Sequence, residues 1–251
     1  MEGQDKRVNN AFYEDLGDAW YEDAVHPIAL LRAENATRNP WILEKIRALL
    51  GPSSQDVLDI GCGAGFLSNA LGADGHRVTG IDLSGKSLEV AAKRDSTKTV
   101  RYMKLDAFAL PFPDHSFNVI SAMDFLEHVD TPERIVQEAA RLLRPNGLFF
   151  FHTFNRNWLS FMMVIKAVEW FVPNTPANMH IYSNFIKPQE LQGWCNASEL
   201  ALLEMRGLVP RIASMAFLKS LLTRKVHKDF QFRFTDSQRS GYLGIAQSKQ
   251  V

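Results

Sequence analysis

Asp124, Glu127 and His128 stand at i, i+3 and i+4, so a helical turn there puts two carboxylates and an imidazole on one face. That set suits a hard or borderline divalent ion with coordination positions left open. It equally suits proton removal without a metal, with His128 or Glu127 as the base. A second chemistry-bearing run lies upstream, where Asp59 is followed by glycines at every second position, Gly61, Gly63 and Gly65. Glycine is required where a backbone turns through positive φ or passes close to a ligand. A helix starting just beyond it offers unpaired amide donors. A small polar or charged ligand therefore belongs on that loop. It is not a dinucleotide loop by spacing: G-x-G-x-x-G counted from Gly61 needs a glycine where this chain has Phe66.

The flanking pattern supplies elements to position these residues. The apolar Val57 and Leu58 lead as a strand into the glycine turn, and residues 66–71 continue with helical spacing. A second β-prone run, residues 77–82, ends in Asp82, and an acid at that place in a βαβ unit can accept both hydroxyls of a ribose. The alternative is an N-cap for residues 87–93, a role that Ser84 fits better. A third strand over residues 99–105 ends at Asp106, and a turn at 112–116 opens a fourth that ends at Met123. Met123 is then either a ligand contact at a strand end or ordinary core. A Pro-Asn-Gly turn after Leu142 precedes a fifth strand reaching Phe151. Strands alternating with helical stretches predict a doubly wound α/β sheet.

Asp59 with its alternating glycines resembles motif I of the class I S-adenosylmethionine-dependent methyltransferases. The resemblance implies a Rossmann-like, mostly parallel sheet of seven strands, completed by residues 199–209 and 241–247. It implies that Asp59 helps hold the amino-acid end of S-adenosylmethionine, that Gly61, Gly63 and Gly65 carry its adenosyl part, and that Asp106 accepts from the adenine amino group. Outside this core, three runs resemble the ubiquinone-biosynthesis O-methyltransferases: Met123 to Val129, Thr153 to Asn157, and His180 to Trp194. Asn35 to Ile42 matches the same family's pre-core helix, which places Arg38 near the cofactor carboxylate. Cofactor residues are thus Arg38, Asp59, Gly61, Gly63, Gly65, Asp82, Asp106 and Met123. The implied acceptor is a catechol-like polyprenyl phenol. A phenol with a pKa of ~10 is scarcely ionised at neutral pH, so transfer needs a base or a cation. Family members carry Glu-x-x-Glu-His here as a proposed Mg²⁺ site, and this chain departs from them at Asp124.

Composition limits the remaining choices. The chain of 251 residues, 46% hydrophobic, is enough for one methyltransferase domain: a helical cap over 1–50, a cofactor core over 51–155, a lid and substrate region over 156–198, and C-terminal strands over 199–251. With 28 basic and 28 acidic residues, no general nucleic-acid footprint exists. Only Cys62 and Cys195 occur, without zinc or redox spacing, which predicts a cytoplasmic setting; residues 1–6 are polar and carry no signal-peptide core. Residues 157–173 are apolar but interrupted by Lys166 and Glu169, too short and too charged to span a bilayer. They read either as a lid packed on the core or as a peripheral contact with the inner membrane face, near the basic Lys219, Arg224, Lys225, His227 and Lys228. Aromatic residues of the cap (Tyr13, Trp20, Trp41) read as core. Competing readings are a related enzyme for another small hydrophobic phenol or acid, and a nonenzymatic membrane-surface subunit that keeps the fold.

Overall fold

A computed structural model of the chain describes residues 10–176 and 178–249, so the polar residues 1–6 lie outside the described part. The first strand shows how the sequence builds the sheet. In β1 (Asp56–Ile60), Val57 points to one side while Leu58 and Ile60 point to the other, and all three are fully buried. Both faces are therefore covered, as parallel strands require. Helices α1 (Ala19–Glu22) and α2 (Ile28–Leu50) form the cap, and α3 (Phe66–Ala73) follows the glycine turn. Next come β2 (Arg77–Asp82), α4 (Gly85–Arg94), β3 (Arg101–Lys104), β4 (Phe117–Met123), α5 (Pro132–Leu142) and β5 (Leu143–Phe154). Strands β1 to β5 pair in parallel, in the order β3-β2-β1-β4-β5.

The lid runs through α6 (Trp158–Ser160), a π-helical stretch (Phe161–Lys166) and α7 (Ala167–Phe171), and buries none of its side chains between Phe161 and Phe171. After α8 (Pro188–Ala197) the sheet is completed by β6 (Leu200–Pro210), β7 (Phe232–Thr235) and β8 (Gly241–Ser248), with α9 (Met215–Thr223) between β6 and β7. Strand β8 inserts antiparallel between β5 and β6. The expectation of seven strands is corrected to eight, because β7 pairs with Gly207–Pro210 of β6. That short strand covers part of an edge otherwise open to pairing with another chain. It is easily missed, since four residues give little periodicity.

The turn after β4 also departs from the sequence reading. No α-helical turn forms over residues 124–128. Asp124 takes a left-handed φ of 53°, and Leu126–His128 is a single 3₁₀ turn. The cause is tertiary: the Asp124 amide donates to the His152 carbonyl at 3.1 Å, and its carboxylate is drawn to Arg38 and His152. Asp tolerates this backbone better than most residues.

Candidate active site

In the order β3-β2-β1-β4, β1 sits where the chain reverses direction across the sheet, and a crevice opens beyond the strand ends at such a point. A cavity of about 380 Å³ lies there. Of the sequence-predicted cofactor residues it is lined by Arg38, Asp59, Gly61, Gly63, Asp82, Asp106 and Met123; Asp124 and His128 line it too, whereas Glu127 does not.

Gly61 has φ 67°, and a Cβ there would run into the Phe125 ring, so the loop can pass under that ring only as glycine. Gly65 is different. It does not line the cavity; it has φ 80° as the residue before α3, and a Cβ would lie 2.5 Å from the Tyr102 hydroxyl. Its glycine serves the packing of α3 against β3 and α4.

Asp59 is 3% exposed and accepts from Ser68 Oγ at 2.6 Å and Ser121 Oγ at 2.7 Å. Burial pushes its pKa up, and the two serine hydroxyls oppose that rise. Asp82 accepts from the Gly63 amide at 2.9 Å and the Ser84 amide at 2.8 Å, so the glycine loop itself orients this carboxylate. Ser84 caps α4 by accepting from the Ser87 amide at 3.1 Å, which leaves Asp82 free of that duty. Asp106 is exposed and accepts from the Phe108 amide at 2.9 Å. Arg38, 2% exposed, reaches across from α2 to pair with Asp124, while its Nε and Nη1 make no hydrogen bond and Nη1 lies 3.9 Å from Glu34. Tyr13 and Trp20 belong to a core cluster as the sequence reading has it, and they also line the cavity, which that reading missed. They stack at 5.4 Å over the loop, and aromatic content alone could not separate them from core.

Beside His128 in the chain, Glu127 is 2% exposed; its Oε2 accepts from Thr153 Oγ1 at 2.8 Å, and its Oε1 has no hydrogen-bond partner. Burial, followed by the nearby Asp124 charge, pushes the Glu127 pKa up to about 8. Burial pulls His128 down to about 4, against the opposing effect of Asp124. His180, from the segment after the lid, has its ring 5.7 Å from that of His128 and is pulled down to about 3 by burial and then by His128. Burial raises the Asp124 pKa, but Arg38 and His152 outweigh it and hold the carboxylate well below its usual range. The ligand atoms of Glu127, His128 and His180 fall within 4.8 Å of one another, whereas those of Asp124 gather with Glu34 and His152. The structure thus brings Glu127 and His128 together with His180 beside them, and turns Asp124 toward Arg38 and His152. Neutral imidazoles beside a carboxyl group can take a proton or ligate an ion.

Comparison with known proteins adds a family to this geometry. Residues 58–151 match the model of a methyltransferase domain. The chain is 37% identical over 204 residues to the ubiquinone biosynthesis O-methyltransferase of Actinobacillus pleuropneumoniae, covering 78% of this chain and 85% of that one. It is 33% identical over 202 residues to the Coxiella burnetii protein of the same name, covering 79% and 83%. Among solved structures, it resembles magnesium protoporphyrin IX methyltransferase from Synechocystis with bound SAH (TM-score 0.59, 15% identity, 86% and 84% covered). It also resembles an SAM-dependent methyltransferase from Methanosarcina mazei (TM-score 0.54, 20% identity, 79% and 94% covered).

Proposed function

This chain belongs to the ubiquinone biosynthesis O-methyltransferase family and is an S-adenosylmethionine-dependent O-methyltransferase, and from that premise we propose how its cleft divides the work. The observation that carries the reading is a single cavity lined by Asp59 and Asp82 and also by His128. The cofactor lies on the Gly61–Gly63 loop, with Asp82 on its ribose, Asp106 on its adenine and Arg38 facing its carboxylate. Met123 packs against it from the end of β4. The acceptor is a catechol hydroxyl of a polyprenyl phenol, delivered to Glu127 and His128. Its oxygen attacks the sulfonium methyl in line: the O–C bond forms, the S–C bond breaks, and the electron pair returns to sulfur.

The proton must leave the phenol at or before that step. His128, kept neutral by its buried setting, is placed to take it. The unpartnered Glu127 Oε1 fits a divalent cation, Mg²⁺ or another, and such an ion would supply acidity to the hydroxyl it binds. Asp124 fits that role poorly, since its carboxylate is already engaged by Arg38 and His152. The lid, with Trp158 72% and Trp170 55% exposed, is the part of the chain suited to a peripheral membrane contact from the cytoplasmic side, where a polyprenyl tail is reached. No helix among the described residues is long and apolar enough to cross a membrane.

The deciding experiment is methyl transfer from labelled S-adenosylmethionine to a short-tailed catechol precursor and to a panel of unrelated phenols. Transfer to the catechol alone is expected. Equal transfer to the other phenols, or none with cofactor bound, would move the acceptor elsewhere. Repeating it in EDTA separates a metal-assisted step, which stops, from one run by His128, which continues.

A further inference from the structure

Three side chains meet around His128, which lines the cleft, and only two of them belong to the run after β4. The ligand atoms of Glu127, His128 and His180 lie within 4.8 Å of one another. Donors bound to one ion at about 2.0–2.2 Å sit roughly 3–4 Å apart, so closing on an ion needs a contraction of at most about 2 Å. The Glu127 Oε1 is buried without a donor, while its Oε2 is fixed by Thr153 at 2.8 Å. A buried carboxyl oxygen is costly to leave unmatched, and a cation that displaces the Glu127 proton would supply its partner. The Thr153 bond is the kind of outer contact that orients a ligating carboxylate. His180 is held by aromatic edges, with Phe154 at 5.2 Å and Phe185 at 6.2 Å between ring centroids. Asp124 is occupied differently. Its carboxylate binds Arg38 and His152, and the guanidinium, 3.9 Å from Glu34, already places a cation inside that second cluster.

We infer that His180, not Asp124, is the third protein ligand of a divalent-ion site with Glu127 and His128, and that the site takes a borderline ion such as Mn²⁺, Fe²⁺ or Co²⁺ in preference to Mg²⁺. This rests on the methyltransferase reading of the cleft but adds a ligand which that reading does not contain. Two imidazole nitrogens and one carboxylate suit borderline ions, whereas Mg²⁺ favours oxygen ligands and retains water. Three protein ligands leave positions for two adjacent hydroxyl oxygens, which is what distinguishes a catechol from a simple phenol. Because His180 follows the lid in the chain, loading the ion also fastens the lid's trailing end.

The test uses Mn²⁺ as the probe on the full chain, followed by loss of the aqueous electron paramagnetic resonance signal. Pulsed measurements count the directly bound nitrogens. Expected are one Mn²⁺ with two nitrogens, not displaced by a tenfold excess of Mg²⁺. His180→Ala should lose tenfold or more in Mn²⁺ affinity and show one nitrogen. Unchanged S-adenosylmethionine affinity would certify that variant as folded, and His180→Asn serves if it is not. A single nitrogen in the native chain, or native Mn²⁺ affinity in both variants, overturns the assignment; displacement by Mg²⁺ overturns the ion preference. Methylation of a catechol in EDTA by a chain that binds no Mn²⁺ would end the ion site and leave the methyltransferase reading intact. Two-nitrogen Mn²⁺ binding without catechol methylation would do the reverse.

Discussion

A carboxylate that already accepts two backbone amides is a rigid instrument, and Asp82 is in that state before any ligand arrives. Holding a ribose then costs little reordering. Replacing Asp82 by Ala removes charge-assisted hydrogen bonds worth about 1.5–3 kcal/mol, so calorimetry should find S-adenosylmethionine affinity down about 10- to 100-fold. Native affinity in that variant would take Asp82 off the cofactor. His128→Ala should give the opposite pattern, with cofactor affinity intact and the catechol turnover rate lowered by about 10²–10⁴, the usual reach of a general base. Turnover at the native rate would remove His128 from proton transfer. These residues were legible because each signal is local: an acid at a strand end, glycines at fixed intervals, an imidazole beside a carboxylate. His180 was not legible as a partner of His128. It lies in a separate run of the chain, and only the course of the lid brings the two rings within 5.7 Å.

The elements that carry these residues were read well where burial on both faces leaves little choice, as in β1, β4 and β5. They were read poorly where tertiary contacts override spacing. Asp124 to His128 has helical spacing, yet Arg38 and His152 pull the first residue into left-handed backbone and the helix never starts. Gly65 teaches the same lesson within the glycine loop, since its spacing suggests ligand contact and its surroundings are Tyr102 and Ala91. Gly65→Ala combines a positive φ with a Cβ 2.5 Å from the Tyr102 hydroxyl, and should cost about 2–4 kcal/mol. Urea unfolding measures that cost, and cofactor affinity of the folded variant should stay within about threefold, because Gly65 packs α3 and does not line the cavity. At the opposite strand ends Asp56 joins β1 to Arg77 at 2.6 Å and to Arg144 at 2.7 Å. Its pKa is lowered first by the Arg77 hydrogen bond, with burial opposing and Arg144 adding to the effect. The folded state therefore binds this proton less readily than the unfolded one, so the contribution is present above about pH 4 and fades as pH falls below it. Asp56→Asn should cost ~1 kcal/mol or less at neutral pH, and the difference from the native chain should shrink in acid. A constant difference across that range would mean the pairs contribute nothing through charge.

At the scale of the molecule, the question is how a water-borne cleft meets an acceptor with a greasy tail. The lid and α9 offer an answer together, because the Arg224 guanidinium donates to the Trp170 carbonyl at 2.8 Å and joins the end of α9 to the end of α7. Along the lid and α9, Trp158, Trp170, Met215 and Leu222 are 72%, 55%, 68% and 74% exposed, an unusual amount of apolar surface for a chain whose core is otherwise well covered. Lys219, Arg224, Lys225 and Lys228 are exposed beside it. Apolar side chains for the acyl boundary and cations for the headgroups form the usual pair of signals for surface attachment. Each basic residue near an anionic surface contributes about 1 kcal/mol, and each fully buried apolar side chain about 1.5–3 kcal/mol. Replacing Trp158, Trp170 and Leu222 together by Ser should therefore lower co-sedimentation with anionic vesicles by tenfold or more. The melting temperature should hardly change, because none of the three is buried. High salt should weaken binding of the native chain further, through the lysines and arginines. Equal sedimentation of the triple variant and the native chain would mean that this face does not enter the membrane, and that the tail reaches the cleft by some other part of the surface.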